Sequence, residues 1–446
     1  MPEKRVMQTE GSPALTRRGF IRRTALAAAG AAAFPFIVPG RALGAEGGVA
    51  PSERLTVGFI GLGKMGRDSH LNSFLGKPHV QVVALNDVET GRLEQSKNRA
   101  DEVYAQRFGE NNYVSAAAYT DFRDLLARAD IDAVIISTPD HWHAIPAIEA
   151  AKAGKHIYCE KPLTRTIAEG RAIVNAVRRY GVVFQTGSQQ RSDYGGRFRQ
   201  AAELVRNGVL GDLQSIEISV GGPPSDAYGL PPEPVPPTLD WDFWQGPVQW
   251  RDYSSTLCPM DYPGFPHWRY YRDYAGGGLS DFGTHHFDIA QWALNMDSSG
   301  PVEILYPNGK DVERMTFLYA NGVPMYHRPG GEADCVFRGT RGTVWVSRGS
   351  IRAEPEELLD IRWTPGDTQL GRGRDHREDW LHCVRTHQRP IACAETGHRT
   401  NTICQLANIG YVVKRDLRWD PVKEEFAGDA EANAMRARAN RSPWRL

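Results

Sequence analysis

The sequence LTVGFIGLGKMG, residues 55–66, joins a short apolar run to three glycines in the spacing GxGxxG. In a turn from a strand into a helix, the first glycine permits the tight bend and the second lets backbone N–H groups approach a pyrophosphate. The third glycine lets the helix pack closely on the strand. This stretch predicts the opening of a dinucleotide-binding fold, with cofactor contacts from Gly61, Gly63, Lys64, Met65 and Gly66.

A second apolar run, residues 80–86, ends at Asp87, which follows Gly66 by 21 positions. An acidic side chain at the end of the second strand accepts hydrogen bonds from the ribose hydroxyls of a dinucleotide. Its negative charge also repels a 2′-phosphate. Asp87 therefore predicts NAD as the cofactor and disfavours NADP.

Strand-like and helix-like segments then alternate along the first half of the chain. Apolar strands are predicted at residues 133–137, 156–159 and 182–186, with amphipathic helices between them. This alternation predicts an α/β fold with a doubly wound parallel sheet and helices on both faces. Ligands bind at the carboxyl ends of such strands. Polar and loop residues at this edge are predicted to contact the cofactor: Thr138, Pro139, His143, Glu160, Lys161 and Gln189.

The second half of the chain has a different pattern. Period-2 alternation recurs at residues 213–220, 315–319, 333–338 and 343–347. Strands with turns between them and few helices predict a mostly antiparallel sheet with one covered face. We therefore predict an NAD-binding domain over residues 52–187 and an α+β domain for substrate binding and oligomerisation over residues 188–446. The open face of an antiparallel sheet favours a homodimer or homotetramer.

Two aromatic clusters, at residues 241–253 and 267–274, follow a proline-rich loop or arm at residues 223–237. Aromatic faces beside arginine and aspartate suit a carbohydrate, whose C–H faces stack on rings while its hydroxyls form hydrogen bonds. A subunit interface concentrates the same residue types. Both interpretations stay open from the sequence.

Residues 276–288 read GGGLSDFGTHHFD, a glycine run followed by a helical segment. If the helix begins near the leucine, Asp281, His285 and Asp288 share one face. A metal site made of these three residues and His286 is the competing interpretation. Against it, His286 points about 100° away from His285 on a helix, and we predict no metal.

The N-terminal residues carry the pattern of an export signal. TRRGFIR at residues 16–22 precedes an apolar segment, residues 25–38, and small residues at 42–44. These features predict a twin-arginine signal peptide over residues 1–44, with a basic unstructured tail as the alternative. The apolar segment has 14 residues, whereas a membrane span needs about 20. We expect the twin-arginine machinery to export the folded protein to the periplasm or the exterior, with no stable membrane anchor.

The charge and cysteine content exclude other classes of protein. The chain has 53 basic and 53 acidic residues, and removal of residues 1–44 leaves 46 against 51, a net charge of about −5. A negative mature chain argues against a nucleic-acid partner. The six cysteines lack the close pairs of a metal site. Free thiols are expected, and a disulfide of Cys383 with Cys393 or Cys404 is the alternative.

Five motifs appear in order: the glycine turn, Thr138-Pro139 with His143, GKH at 154–156, EKP at 160–162, and GGG with DxGxHxxD at 276–288. With these motifs the sequence resembles the Gfo/Idh/MocA family of sugar and polyol oxidoreductases over nearly all of the mature chain. The tail, with HREDW at 376–380 and PWRL at 443–446, resembles an exported bacterial branch of that family. The resemblance implies NAD-dependent oxidation or reduction at a hydroxyl carbon, and a cis peptide bond between Lys161 and Pro162.

The chemistry of alcohol oxidation fits these motifs. The hydroxyl proton must leave along with the hydride, and a neutral histidine suits that task, so His285 is the predicted base. Lys161 is predicted to hydrogen-bond the same oxygen and stabilise its developing charge, and Asp281 to orient His285 or bind substrate. The predicted substrate contacts are Arg191, Arg269, Tyr271, Asp281 and His285.

Export adds one more expectation, because no NAD pool exists outside the cytoplasm. NAD must then be loaded before export and stay tightly bound, and each turnover must return the hydride. Three functions remain open for a sugar or glycoside ligand. They are an oxidoreductase that uses a second acceptor, an NAD-dependent glycoside hydrolase acting by transient oxidation and elimination, and a carbohydrate-binding protein with structural NAD.

Overall fold

The glycine-rich turn follows the first strand of a six-stranded sheet. The computed structural model describes residues 53–110, 112–261, 264–330 and 334–446, and residues 55–446 form one compact unit. The predicted signal peptide, residues 1–44, lies outside the described residues. The strands of the first sheet are β1 (Leu55–Ile60), β2 (Val80–Asn86), β3 (Ala117–Tyr119), β4 (Ala133–Ile136), β5 (His156–Cys159) and β6 (Phe184–Thr186).

All neighbouring strands of this sheet are parallel, in the order β3-β2-β1-β4-β5-β6. The strand order reverses between β1 and β4, and ligands bind outside the carboxyl ends of strands at such a point. Strand β4 is buried at every position, because helices cover both faces of the sheet. The predicted doubly wound parallel sheet is confirmed.

Helices connect these strands. Met65–Leu71 forms a π-helical segment that continues as Asn72–Leu75. The reciprocal bonds of Thr166 and Glu169 form a capping box at the start of the last connecting helix, and Gly181, with φ 67°, ends it. The other helices of this half are α1 (Thr90–Phe108), α2 (Phe122–Leu126) and α3 (Ala144–Lys152), followed by the capped helix α4 (Ile167–Tyr180).

The second sheet has the strand order β13-β12-β11-β7-β10-β9-β8-β14-β15. Its described pairs are antiparallel, except that β7 and β10 are parallel. The predicted mostly antiparallel sheet is confirmed. Its strands are β7 (Leu213–Val220), β8 (Glu303–Leu305), β9 (Thr316–Leu318), β10 (Pro324–Pro329), β11 (Cys335–Gly339), β12 (Thr343–Val346), β13 (Ile351–Glu354), β14 (Leu417–Asp420) and β15 (Glu425–Phe426).

The helices of this half are α5 (Arg197–Arg206), α6 (Trp241–Gln245), α7 (Gly277–Asp281), α8 (Gly283–Ala293), α9 (His376–Thr386), α10 (Ala394–Val413) and α11 (Ala430–Ala434). Apolar residues of α5, α8 and α10 form one core with the second sheet. Helix α9 packs on the first sheet instead, where the ring of Trp380 lies 5.7 Å from the ring of Tyr158. A segment from the C-terminal part of the chain therefore completes the first core.

The proline-rich segment begins an arm, described at residues 223–261 and 264–266, that reaches the loop after β2. The backbone nitrogen of Thr90 donates to the carbonyl oxygen of Thr238 at 3.0 Å, and Asp240 donates to Val88 at 3.1 Å. These bonds join the arm to the nucleotide-binding half by backbone contacts.

The first aromatic cluster forms a core for this arm. Trp241 and Trp244 are buried, and their rings stack with centroids 4.8 Å apart. Tyr253 and Tyr274 belong to the same buried group. These rings pack on each other and leave little of their surface for a carbohydrate or a second subunit, whereas Trp250 is 55% exposed.

The six cysteines are all free thiols, and five of them are buried. Burial raises the pKa of Cys159 and of Cys335 well above the usual range, which keeps these thiols protonated. No disulfide forms at Cys383. No helix in the described part of the chain is long and apolar enough to cross a membrane.

Candidate active site

The carboxyl ends of β1, β4 and β5 bring three predicted segments together. The glycine turn, the loop of residues 138–143 and the pair Glu160 and Lys161 border one cavity of about 430 Å³. Residues of the arm, of α7 and of α8 border it as well. A cavity between both halves of the chain can hold a dinucleotide beside a second ligand.

The glycine turn leaves no room for side chains. Gly61 has φ +88°, which favours glycine, and a Cβ atom on Gly66 would lie 2.2 Å from the carbonyl oxygen of Gly61. Asp87 borders the cavity, and its carboxylate accepts backbone hydrogen bonds from Leu62 (2.7 Å) and Glu89 (2.9 Å). These residues fit a dinucleotide, with its pyrophosphate at the turn and a ribose at Asp87.

Most of the predicted cofactor residues border the cavity. Gly66 lies behind the turn, and His143 ties two loops together, with ring nitrogens 2.7 Å from the carbonyl oxygen of Pro162 and 2.9 Å from that of Thr138. Neither is among the residues that line the cavity. The predicted cofactor residues that line it are Gly61, Gly63, Lys64, Met65, Asp87, Thr138, Pro139, Glu160, Lys161 and Gln189.

Glu160 is held by a series of buried polar side chains. Its Oε1 accepts hydrogen bonds from His70 (2.7 Å) and Gln189 (2.8 Å), and the other ring nitrogen of His70 accepts one from Arg377 (3.1 Å). Burial opposes ionisation of Glu160, but the bond from His70 and the charge of Lys161 lower its pKa. Burial also lowers the pKa of His70. A neutral His70 therefore donates to an ionised Glu160.

Lys161 reaches across the cavity to the second half of the chain. Its peptide bond to Pro162 is cis, as the family resemblance implied. Its Nζ donates to Oδ1 of Asp281 at 2.7 Å and to the carbonyl oxygen of the same residue at 3.0 Å. Arg269 Nε lies 3.4 Å from the other carboxylate oxygen. Burial raises the pKa of Asp281, but the charges of Lys161 and Arg269 outweigh burial and lower it, so Asp281 is ionised.

His285 lies one helical turn after Asp281 and borders the same cavity. It is buried, and its Nδ1 has no hydrogen-bond partner among the described residues. Burial, and then the charges of Lys161 and Arg348, lower the pKa of His285 well below its usual value. The imidazole is therefore neutral at ordinary pH and has a nitrogen that can accept a proton.

Asp140 is a cavity residue that sequence reasoning missed. It lies in the loop after β4 and is 5% exposed. Burial and the charge of Asp281 raise the pKa of Asp140 to about 8, although Lys161 and Arg269 act in the opposite direction. Its carboxyl group is therefore mostly protonated at neutral pH. Its position in a polar loop at the carboxyl edge of the sheet is the sequence feature from which it could have been predicted.

Two predicted substrate residues lie away from the cavity. Arg191 is fully buried and bonds to both carboxylate oxygens of Asp288 (2.7 and 2.8 Å) and of Asp297 (2.7 and 3.0 Å). A buried arginine needs such partners, because an unpaired buried charge is strongly unfavourable. Tyr271 is half-buried against the aromatic core of the arm. Of the predicted arginines, the structure brings Arg269 to the cavity.

The placement of Asp288 also bears on the alternative metal site. Its carboxylate faces Arg191, and the Nδ1 of His286 lies 3.2 Å from the carbonyl oxygen of Phe282. These groups do not converge with Asp281 on one point. The described residues contain no group of three histidine, cysteine or acidic side chains that could hold a metal ion.

Several residues at the substrate end of the cavity carry no local sequence pattern. Trp268 belongs to the second aromatic cluster and does reach the cavity. Phe265 lies in the arm, and Arg348 lies in the turn between β12 and β13. Tyr194 and Phe282 complete this end. They come from separate segments of the second half of the chain, and their meeting depends on packing that no single motif encodes.

Family models match both halves of the chain. The model for the NAD-binding Rossmann fold of the oxidoreductase family matches residues 55–188, and the model for its C-terminal alpha/beta domain matches residues 224–446. The chain belongs to the Gfo/Idh/MocA oxidoreductase family.

Individual relatives differ in what their names say. A levoglucosan dehydrogenase of Pseudarthrobacter phenanthrenivorans is 31% identical over 319 residues, 70% of this chain and 66% of that one. A glycosyl hydrolase family 109 protein of Shewanella baltica is 34% identical over 212 residues, 43% of this chain and 44% of that one. The matched part of the chain spans about half to two thirds of its curated relatives' length.

Solved structures share the fold at low identity. The aldose-aldose oxidoreductase of Caulobacter crescentus, solved with glycerol, superposes with a TM-score of 0.55 at 19% identity, over 82% of this chain and 99% of that one. At this identity the likeness supports the two-domain architecture alone.

Proposed function

We propose that the protein is an exported oxidoreductase that uses tightly bound NAD to transfer a hydride to or from a secondary hydroxyl of a sugar, polyol or glycoside. The observation that carries the proposal is the contact of Lys161 Nζ with Asp281 Oδ1, at 2.7 Å, in the cavity that the neutral His285 also borders. A proton acceptor, a cationic donor and its counter-ion lie together at the edge of a dinucleotide site.

Each of these groups has a defined task in alcohol oxidation. Bound NAD supplies the hydride acceptor in oxidation and the donor in reduction. His285 takes the proton of the substrate hydroxyl, and Lys161 donates a hydrogen bond to the oxygen as its negative charge develops. Asp281 fixes the position of the Lys161 ammonium group. In the reverse direction His285 returns the proton to the oxygen.

Tight retention of NAD is supported by the arm. Its backbone bonds to Val88 and Thr90 place it beside the residue predicted to bind ribose. Arg92 Nη2 also donates to the carbonyl oxygen of Pro259 in the arm at 3.0 Å. Cofactor release would require these contacts to open. The carboxylate of Asp87 favours NAD over NADP, because it repels a 2′-phosphate.

Export shapes the catalytic cycle in this proposal. The twin-arginine pattern of residues 1–44 favours a location where NAD cannot be exchanged. The hydride taken from one substrate must then be passed to a second acceptor or returned to the same molecule. The active protein would cycle between two states of one bound cofactor.

A redox-neutral glycoside hydrolase is the second candidate, favoured by the similarity to glycosyl hydrolase family 109 proteins. Transient oxidation of a ring hydroxyl acidifies the neighbouring C–H bond, and loss of that proton expels the aglycone, which takes up a proton. Water then adds to the resulting double bond, and the carbonyl is reduced again by the stored hydride, which gives the free sugar. Release of free sugar from a glycoside, with no net change in the cofactor, distinguishes this reaction from net oxidation or reduction.

The test begins with the purified mature protein. We expect NAD to remain bound through purification and to be released by denaturation, where mass spectrometry identifies it. Absence of any nucleotide would contradict tight binding. The protein is then mixed with sugars and glycosides, and the reduction of the bound nicotinamide and the release of free sugar are followed.

Two variants test the assigned roles. Lys161→Ala and His285→Ala should lower turnover by about 100-fold or more, while bound NAD is retained. Lys152→Ala, at an exposed lysine of α3, is the matched control and should leave turnover unchanged. Unchanged turnover in both active-site variants would contradict the catalytic assignment, and no turnover in the wild type would favour a carbohydrate-binding protein with structural NAD.

A further inference from the structure

Arg348 has an unusual setting at the substrate end of the cavity. Its guanidinium group lies 4.8 Å from the ring centre of Tyr194 and 4.9 Å from that of Phe282. Its Nε donates to Oε1 of Gln190 at 3.0 Å. No carboxylate among the described residues forms an ion pair with it. Ring contacts and one hydrogen bond therefore fix a planar cation without neutralising it.

Arg348 is close to the reacting groups. Its charge is one of the causes that lower the pKa of both Asp281 and His285. Asp281 is the carboxylate that also receives Lys161 and Arg269. Lys161 and Arg269 therefore pair with Asp281, whereas Arg348 lines the same cavity with no ion pair to a described carboxylate.

The other acidic groups of the cavity do not pair with Arg348. Asp140 is mostly protonated at neutral pH, because burial and Asp281 raise its pKa. Asp193 also lines the cavity, and one of its oxygens accepts a hydrogen bond from the backbone nitrogen of His376. Glu160, which is ionised, accepts hydrogen bonds from His70 and Gln189 instead, and no carboxylate of the described residues forms an ion pair with Arg348. An anionic group on the substrate would supply the counter-charge that Arg348 lacks.

We propose that the substrate is a sugar that carries a carboxylate, a uronic acid or a glycoside of one, and that Arg348 binds this carboxylate. The inference rests on the proposed function and names its substrate class. The terminal nitrogens of an arginine form a planar fork that matches the two oxygens of a carboxylate. Stacking between two rings holds this fork in place before the substrate arrives, which reduces the entropy lost on binding.

The experiment uses the mature protein with its bound nucleotide and follows nicotinamide reduction in single turnovers. Methyl glucuronides and methyl galacturonides are compared with the neutral methyl glycosides, with the methyl esters of the uronates and with glucose 6-sulfate. We expect at least one uronate to react with an apparent affinity about 10- to 100-fold higher than its neutral counterpart and its ester.

Variants of Arg348 then test the residue itself. Arg348→Gln should remove most of the preference for the uronate, and Arg348→Lys should restore only part of it, because an ammonium group cannot bind both oxygens in one plane. Arg352→Gln is the matched control. Arg352 lies in β13, 3.7 Å from the ring centre of Trp345, and is exposed. It should leave the preference unchanged.

The outcomes separate this inference from the proposed function. Equal reaction with uronates and neutral sugars, or a preference for the sulfate, would overturn the carboxylate assignment while the oxidoreductase function stands. A uronate preference that survives in a folded Arg348→Gln protein would overturn the role of Arg348. Failure of every sugar to reduce the bound nucleotide would count against the proposed function itself.

Discussion

The nucleotide end and the substrate end of the cavity are made of different groups. At the nucleotide end the glycine turn brings the backbone close to the ligand, and Gly61 and Gly66 lie too close to neighbouring atoms to carry a side chain. At the substrate end charged side chains, among them Lys161, Asp281 and Arg348, line the cavity beside aromatic rings. Binding at the nucleotide end therefore depends on the shape of the backbone, whereas the substrate end depends on ionised side chains. Substitutions at the two ends should therefore have different effects.

Gly66→Ala should have the largest effect. Its Cβ atom would lie 2.2 Å from the carbonyl oxygen of Gly61, so the turn must shift. We expect a loss of about 3 kcal/mol in the free energy of unfolding and little bound nucleotide, at every pH. Gly229→Ala is the control, since no atom lies within 4 Å of that Cβ position. A Gly66→Ala protein that purifies with a full complement of nucleotide would contradict the backbone account of this end.

Asp281→Asn should affect the substrate end alone. An amide cannot neutralise Lys161 and Arg269, so Lys161 loses its charged partner at 2.7 Å and keeps only neutral acceptors, among them the carbonyl oxygen of residue 281. We expect about a 100-fold loss in turnover with the nucleotide content unchanged, as measured by single-turnover nicotinamide reduction. Asp226→Asn, which breaks the surface ion pair with Arg272, is the control. Loss of bound nucleotide in Asp281→Asn would mean that the two ends are not separable.

The contrast between local backbone turns and side chains from distant segments also explains which parts of the structure could be predicted from the sequence. The doubly wound sheet, the glycine turn and the EKP loop follow from local spacing, because each lies within one strand–turn–helix unit. The glycine run with DxGxHxxD predicted one helical segment, and the structure divides it between α7, which carries Asp281, and α8, which carries His285. The predicted mostly antiparallel sheet also followed from local alternation.

The remaining residues of the site depend on packing between distant segments. Arg191 lies in a polar stretch beside the sheet edge, yet its pairing with Asp288 and Asp297 draws it into the core. Arg348 has no motif, and its role depends on rings that come from two other segments. Local spacing cannot distinguish an arginine in a buried ion pair from an arginine that lines the cavity, because the two differ only in the distant residues that they contact.

Asp140→Asn should give an effect that depends on pH. The fold raises the pKa of Asp140 from 3.8 to about 8, so the native protein holds a proton that the unfolded chain releases between these values. The stability of the wild type relative to the variant should fall as pH rises through this window and level off above it. Urea unfolding of both proteins from pH 4 to pH 9 measures the difference. A constant difference would show that Asp140 is ionised in the native state and adds a second negative charge beside Asp281.

Asp87→Asn should have the smallest effect and brings the comparison back to the nucleotide end. The two carboxylate oxygens of Asp87 accept backbone bonds from Leu62 and Glu89, and an amide can accept only one of them. We expect the bound NAD to dissociate about 10-fold faster, as measured by its release into a solution that contains a scavenger of free NAD.

The same variant should not gain a preference for NADP. Arg92, the nearby cation, bonds to the carbonyl oxygen of Pro259 at 3.0 Å and lies 3.8 Å from Glu89, so a 2′-phosphate would meet a second carboxylate and an occupied guanidinium. Reconstitution of the emptied variant with each nucleotide tests this. If Asp87→Asn held NADP as long as NAD, charge repulsion by Asp87 alone would set the cofactor choice. If the variant bound both nucleotides as weakly as the wild type binds NADP, the Asp87 carboxylate would act mainly by organising the backbone of the turn.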